Sequence, residues 1–162
     1  LPSSVEFLIL GIGPDESSLR ALADSLNVSD RVKFLRQISH TDIPKYLKVS
    51  DIFIRPSRSE GLGNSFLEAM AVGIPVLATR VGGIPDFLFD PVMNPDREST
   101  GLFVRVDDPE SIAYQVKRLI ADPTLSARLV KNGKKLVHEK YDWDLIAKMM
   151  KERVFDKLLN IR

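Results

Sequence analysis

Asp51-Ile52-Phe53-Ile54, then Glu60-Gly61-Leu62-Gly63-Asn64-Ser65-Phe66-Leu67-Glu68, then Pro75-Val76-Leu77-Ala78-Thr79 is the stretch that decides the fold. The outer segments are short apolar runs and read as strands, the first closed by Arg55-Pro56-Ser57. Between them, Asn64 to Val72 reads as a helix entered through two glycines. Strand, turn, helix and strand in that order make a βαβ unit, which joins parallel strands.

The flanks repeat the pattern. Val5 to Leu10 reads as a buried strand stopped by Gly11-Ile12-Gly13-Pro14. Asp15 to Leu26 follows as a helix with Leu19, Leu22, Ala23 and Leu26 on one stripe. Val32 to Leu35 is a strand, and Asp42 to Val49 a short helix with Thr41 as its N-cap. Gly101 to Val104 is a fifth strand, followed by helices over Glu110 to Ala121, Thr124 to His138 and Trp143 to Leu159. Val92 to Thr100 is polar, contains proline and lacks periodicity, and is expected to be a surface insertion. The fold class is therefore α/β: a Rossmann-like parallel sheet with helices on both faces, built as one domain over residues 1–162. Ligands of such sheets bind beyond the carboxyl ends of the strands.

Composition narrows the function. The chain has 162 residues, 44% of them apolar, which suffices for one core. Lysine plus arginine number 23 against 22 acidic residues, so the net charge of +1 gives no general field for nucleic acid. There is no cysteine, which removes disulfides and thiolate metal sites. No run is long enough to span a bilayer and no signal peptide opens the chain, so a cytoplasmic location is expected.

The Glu60 to Glu68 segment carries the chemistry. Its glycines permit a sharp turn and close ligand approach, and the helix start behind them offers unpaired amides and the positive end of a dipole, suited to a diphosphate. Glu68 lies one turn after Asn64, and Glu60 sits in the loop ahead. A carboxylate accepts two hydrogen bonds side by side, matching vicinal hydroxyls of a sugar or ribose. On local physics alone a second reading stands: Glu60 as an exposed charge and Glu68 as an ordinary helix-surface residue.

Pro56-Ser57, Glu60-Gly61-Leu62-Gly63, Leu67-Glu68-Ala69-Met70-Ala71, Gly73-Ile74-Pro75-Val76 and Val81-Gly82-Gly83-Ile84-Pro85 occur in this order and spacing. Together they closely resemble the signature of the group-1, family-4 glycosyltransferases, with its E-x7-E element. The likeness extends upstream through Gly11-Ile12-Gly13-Pro14, Arg31 to Leu35 and Ser50 to Phe53, and downstream through Thr100 to Val104. The resemblance implies the C-terminal, donor-binding half of a retaining GT-B enzyme, using a nucleotide-diphospho-sugar and no metal cofactor. It implies that Glu60 contacts the transferred sugar and Glu68 the nucleotide ribose. The intervening backbone at Gly61, Leu62, Gly63, Asn64 and Ser65 would serve sugar hydroxyls and diphosphate, and Arg36-Gln37-Ile38 would lie against the base.

Departures from the pattern carry expectations of their own. The family's first strand of this half, with a diphosphate-binding arginine and lysine after it, is expected to lie ahead of Leu1 and is not found within these 162 residues, and neither is the N-terminal acceptor domain. The chain alone is then expected to be an inactive part of an enzyme. In a 3-2-1-4-5-6 sheet, the Val5–Leu10 and Asp51–Ile54 strands would border that first strand. We expect them to close on each other or accept a strand from elsewhere, and the isolated domain to be marginally stable and prone to self-association. Asp86 stands where the family commonly has glutamate.

The remaining signals are weak. Gly11 to Glu16 matches only half of a dinucleotide fingerprint, and His40 and His138 have no ligand cluster around them. Lys131-Asn132-Gly133-Lys134-Lys135 reads as a solvated helix face, with a weak membrane-surface contact as the alternative. Trp143, Phe155, Leu158 and Leu159 are expected to pack as core or against the missing half. A different class of function, a non-catalytic sugar-nucleotide-binding or interaction module on the same fold, remains the alternative, with an epimerase or phosphorylase behind it.

Overall fold

The structure, a computed structural model, describes residues 1–159 and falls into two compact units divided between Tyr46 and Leu47. The first unit is a single βαβ element: β1 (Phe7–Leu10), α1 (Glu16–Ser25), a 3-10 turn at Ser29–Arg31, and β2 (Val32–Leu35). The strands are parallel and pair from Phe7 opposite Val32 to Leu10 opposite Leu35. The stripe expected on α1 forms, yet only Ala23 is buried, while Leu19, Leu22 and Leu26 remain exposed. β1, expected to be buried, shows Phe7 47% exposed. Two strands and one helix are too thin a layer to cover both faces of a sheet. Arg20 supplies part of the cover, its guanidinium lying 4.3 Å from the Phe34 ring centroid and pairing with Glu16 at 2.9 Å. The hydrogen bond from Arg20, and then Arg36, hold the Glu16 carboxyl below its ordinary value. α2 (Ile43–Lys48) begins where the Ser39 carbonyl accepts from both Asp42 and Ile43 amides, not at the expected Thr41 cap.

The second unit holds the larger core. β3 (Phe53–Arg55), β4 (Val76–Thr79) and β5 (Leu102–Val104) form a parallel sheet in the order β3-β4-β5, with α3 (Asn64–Val72) connecting β3 to β4. Central strand β4 is buried at every residue, as a strand covered on both faces must be. Leu77, Leu102 and Val104 pack with Val116 and Leu119 of α4 (Pro109–Ala121) and Leu125 and Leu129 of α5 (Pro123–Lys140). Both helices begin with aspartate caps: Asp108 accepts from the Ser111 amide and Asp122 from the Leu125 amide. α5 also lies against α3 at a glycine. A Cβ at Gly133 would stand 3.3 Å from Met70 Cγ, so the missing side chain sets that close approach. α6 (Trp143–Met150) is capped by Asp142 and runs through a π turn at Lys151–Phe155 into α7 (Asp156–Leu159).

Two expectations change here. Of the two readings given for Trp143, Phe155, Leu158 and Leu159, the core one is overturned: all four are exposed, Trp143 by 75%. The 92–100 segment is superficial from Val92 to Glu98, but its end is anchored inside. Thr100 Oγ1 donates to the Phe87 carbonyl at 2.7 Å and accepts from the Phe89 amide at 2.9 Å. Buried Asp90 accepts from the Val92 amide at 2.8 Å and the Phe103 amide at 3.0 Å, tying the loop to β5.

Candidate functional site

β3 ends at Arg55, Pro56 follows, and the chain turns through Ser57 to Leu62 before α3 starts. Gly63 occupies the N-cap with φ 73 and ψ 65, and a Cβ there would stand 2.6 Å from Phe66 Cδ2. Only glycine accepts both the left-handed backbone and the contact. The cap has no side chain, so α3 begins without side-chain capping of its first amides. Phe66 is fully buried and holds this turn in place. Its ring stands edge-on to Phe53 at 5.5 Å and lies 6.1 Å from Phe87, which in turn meets Tyr141 at 6.2 Å. Burial, and then the charge of Asp86, push the Tyr141 phenol above its ordinary pKa.

A second loop, after β4, interlocks with the first. The Gly83 amide donates to the Gly61 carbonyl at 2.9 Å, and a Cβ on Gly82 would stand 1.8 Å from the Glu60 carbonyl oxygen. The Gly-Gly pair thus lets two backbones touch at the carboxyl ends of β3 and β4, the end where parallel sheets bind ligands.

Glu60 is not an exposed charge. Its side chain is 9% exposed; Oε1 lies 2.9 Å from Arg55 Nε and accepts from Ser57 Oγ at 2.7 Å. Ser57 is itself held, its carbonyl accepting from Thr79 Oγ1 on β4. Oε2 faces Gly63, 3.6 Å from where a Cβ would be. Arg55 Nη1 also donates to Ser65 Oγ at 2.9 Å, so one guanidinium spans the loop from Glu60 to the first turn of α3. In the sequence Arg55 stands out only as part of the Arg55-Pro56-Ser57 segment that closes the Asp51–Ile54 run. The signal available was a lone cation closing an apolar run. Gly61, Leu62 and Asn64 are exposed, Ser65 is half-buried, and Glu68 is half-buried on α3 one turn beyond Asn64.

Arg36, Gln37 and Ile38 belong to the first unit and follow the carboxyl end of β2. There the Gly11 amide donates to the Leu35 carbonyl at 3.1 Å and the Arg36 carbonyl at 3.3 Å, and Arg36 Nε lies 3.4 Å from Glu16. The Lys131 to Lys135 run does more than face solvent. Asn132 donates to the Ser99 carbonyl at 3.0 Å and Lys135 pairs with Glu98 at 2.9 Å, which docks the 92–100 segment on α5. Among the described residues no group of His, Cys, Asp or Glu could hold a metal ion, and no helix is long and apolar enough to cross a membrane.

Comparison with known proteins bears on the family and the fold. The family described as glycosyl transferases group 1 matches residues 2–136. An uncharacterized glycosyltransferase of Methanocaldococcus jannaschii is 35% identical over 145 residues, covering 90% of this chain and 35% of that protein. A GDP-mannose-dependent monoacylated alpha-(1-6)-phosphatidylinositol monomannoside mannosyltransferase of Corynebacterium glutamicum is 34% identical, covering 90% of this chain and 37% of that protein. The chain thus spans about a third of the length of the curated relatives it matches. Among solved structures, Anabaena HepE in complex with UDP-glucose superposes with a TM-score of 0.84 at 22% identity, over 96% of this chain and 42% of that one. That identity speaks for the fold alone. An α/β unit with an interlocked pair of glycine loops and a family match over most of the length lead to one conclusion: the chain belongs to the group 1 glycosyltransferases and has the architecture of the C-terminal domain of their GT-B fold.

Proposed function

We propose that this chain binds a nucleotide-diphospho-sugar at the Gly61–Ser65 turn, and that the protein transfers the glycosyl group with retention to an acceptor held by a domain outside these 162 residues. The observation that carries the reading is the constrained Glu60 carboxylate beside a helix start that lacks side-chain capping, with Glu68 one turn further on. The uncapped amides and the positive end of α3 suit a diphosphate, and they act most strongly as negative charge grows on the leaving group. Glu60 would accept sugar hydroxyls at Oε2, on the Gly63 side, because Oε1 already serves Ser57 and Arg55. Glu68 would accept ribose hydroxyls, and the backbone of Arg36-Gln37-Ile38 would meet the base. These groups bind and orient; holding the sugar in a reactive geometry is their contribution to rate. The mannosyltransferase relative, named as GDP-mannose-dependent, supports a nucleotide-sugar donor, and the family resemblance supports retention. In this reading the 162-residue chain by itself transfers no sugar.

Calorimetry with UDP, UDP-glucose, GDP and GDP-mannose tests the binding step. Glu68→Ala should weaken nucleotide binding by about 1–3 kcal/mol, because two hydroxyls lose a charged acceptor. Equal affinity in the variant and the wild type would refute the ribose assignment.

A further inference from the structure

The charge at the mouth of the site is arranged in a way that binding alone does not require. Arg55 is half exposed, at the last residue of β3, yet its guanidinium makes two polar contacts of 2.9 Å in different directions. One goes to Glu60 in the loop, the other to Ser65 in the first turn of α3. The side chain also lies over Phe66, with its guanidinium carbon 5.9 Å from the ring centroid. The cation therefore stands at the positive end of a helix, where it is disfavoured unless an anion accompanies it. Glu60 is that anion, and it is largely withdrawn from solvent.

We propose that Arg55 is a positioning residue for the sugar-binding carboxylate: a strap that fixes Glu60 against Ser65 and so sets the shape of the turn between them. This inference rests on the donor-binding reading above. With Oε1 occupied by Arg55 and Ser57, rotation of the carboxylate is arrested and Oε2 is presented at a constant angle. Arg55 also balances the Glu60 charge, so the carboxylate can stand beside a diphosphate without full repulsion. Arginine suits the task and lysine does not, because two partners in different directions need a planar group with several fixed donors.

The test has two arms on the 162-residue chain. Without ligand, the amide resonances of Gly61, Gly63 and Ser65 are compared in wild type, Arg55→Gln, Arg55→Lys and Glu60→Gln, with circular dichroism confirming that each folds. Arg55→Gln and Glu60→Gln should displace the same three resonances, and Arg55→Lys should restore them in part. Unchanged resonances in Arg55→Gln overturn the strap. With ligand, the affinity ratio of UDP-glucose to UDP and of GDP-mannose to GDP is measured. Arg55→Gln and Glu60→Gln should each lower the wild-type ratio about tenfold, the loss of one hydrogen bond to a charged group. The double variant should lose no more than either single one, since both break the same link. A wild-type ratio retained in Arg55→Gln, or no gain from the sugar in the wild type with either pair, overturns the role toward the sugar. Failure of the wild type to bind any of the four probes brings down the donor reading itself, and the resonances then decide the strap alone.

Discussion

Gly82→Ala is the substitution that most directly probes how the site is built. In the native loop Gly82 has φ 53, and an added Cβ would stand 1.8 Å from the Glu60 carbonyl oxygen. A residue other than glycine in left-handed backbone costs about 1–2 kcal/mol. The contact cannot be relieved by a side-chain rotation, because the obstructing atom is backbone. The two loops must separate by roughly 1.5 Å to regain van der Waals distance. That motion breaks the hydrogen bond from the Gly83 amide to the Gly61 carbonyl, another ~0.5–1.5 kcal/mol. The total is about 1.5–3.5 kcal/mol, or a urea midpoint lowered by about 1–2 M for a protein of this size. Gly61→Ala is the matched control, since a Cβ there meets nothing within 4 Å and φ is not left-handed. Urea titration followed by circular dichroism measures both, and calorimetry with UDP reports the site. We expect Gly82→Ala to lose stability and nucleotide binding together, and the folding stability of Gly61→Ala to stay within about 0.5 kcal/mol of wild type. A Gly82→Ala protein with wild-type midpoint and wild-type affinity would refute the interlocked-loop account.

Two further predictions concern the body of the second unit. Leu129→Ala empties a fully buried position of the α4–α5 core and should cost about 2–5 kcal/mol in urea denaturation, whereas Phe155→Ala, at an exposed position, should stay within ~0.5 kcal/mol; equal losses would contradict the assigned core. Asp108 caps α4, and the Ser111 amide and then Arg105 hold its carboxyl below the ordinary value of 3.8. A lowered folded value means that the unfolded chain takes up the proton first, so this stability is complete above the ordinary value and is lost as pH falls through the lowered one. Asp108→Asn keeps a capping oxygen but cannot titrate, so its melting temperature should vary less than the wild type's over roughly pH 2–6. Parallel melting curves against pH would remove Asp108 from the acid response.

The alternation of strands and helices was legible because it is a local property. Apolar runs of four or five residues, punctuated by Gly-Pro, Pro-Ser and Gly-Ile-Pro, place β1 to β5 and α3 to α5 within a few residues of where they form. The turn at Gly61 to Ser65 was legible for the same reason, since paired glycines ahead of a helix already imply unusual backbone there. Burial was less legible. The stripe on α1 and the row from Trp143 to Leu159 have helical spacing, but spacing only says which residues share a face. What covers that face is decided by other segments, and for most of these residues nothing among the described ones does.

By itself, then, the sequence determined the α/β class, the parallel strands, the family and the carboxylates worth examining, since each is written in short-range pattern and motif order. Only the tertiary structure decided that Gly82 and Gly83 let one loop touch another, and that Arg55 ties Glu60 to Ser65. Each of these depends on atoms brought together across the chain, such as the Glu60 carbonyl and Gly82, which stand in different loops. Contacts of that kind leave no periodicity in the residues that make them, because their distance is set by how α3 and β4 pack and not by any neighbour in sequence.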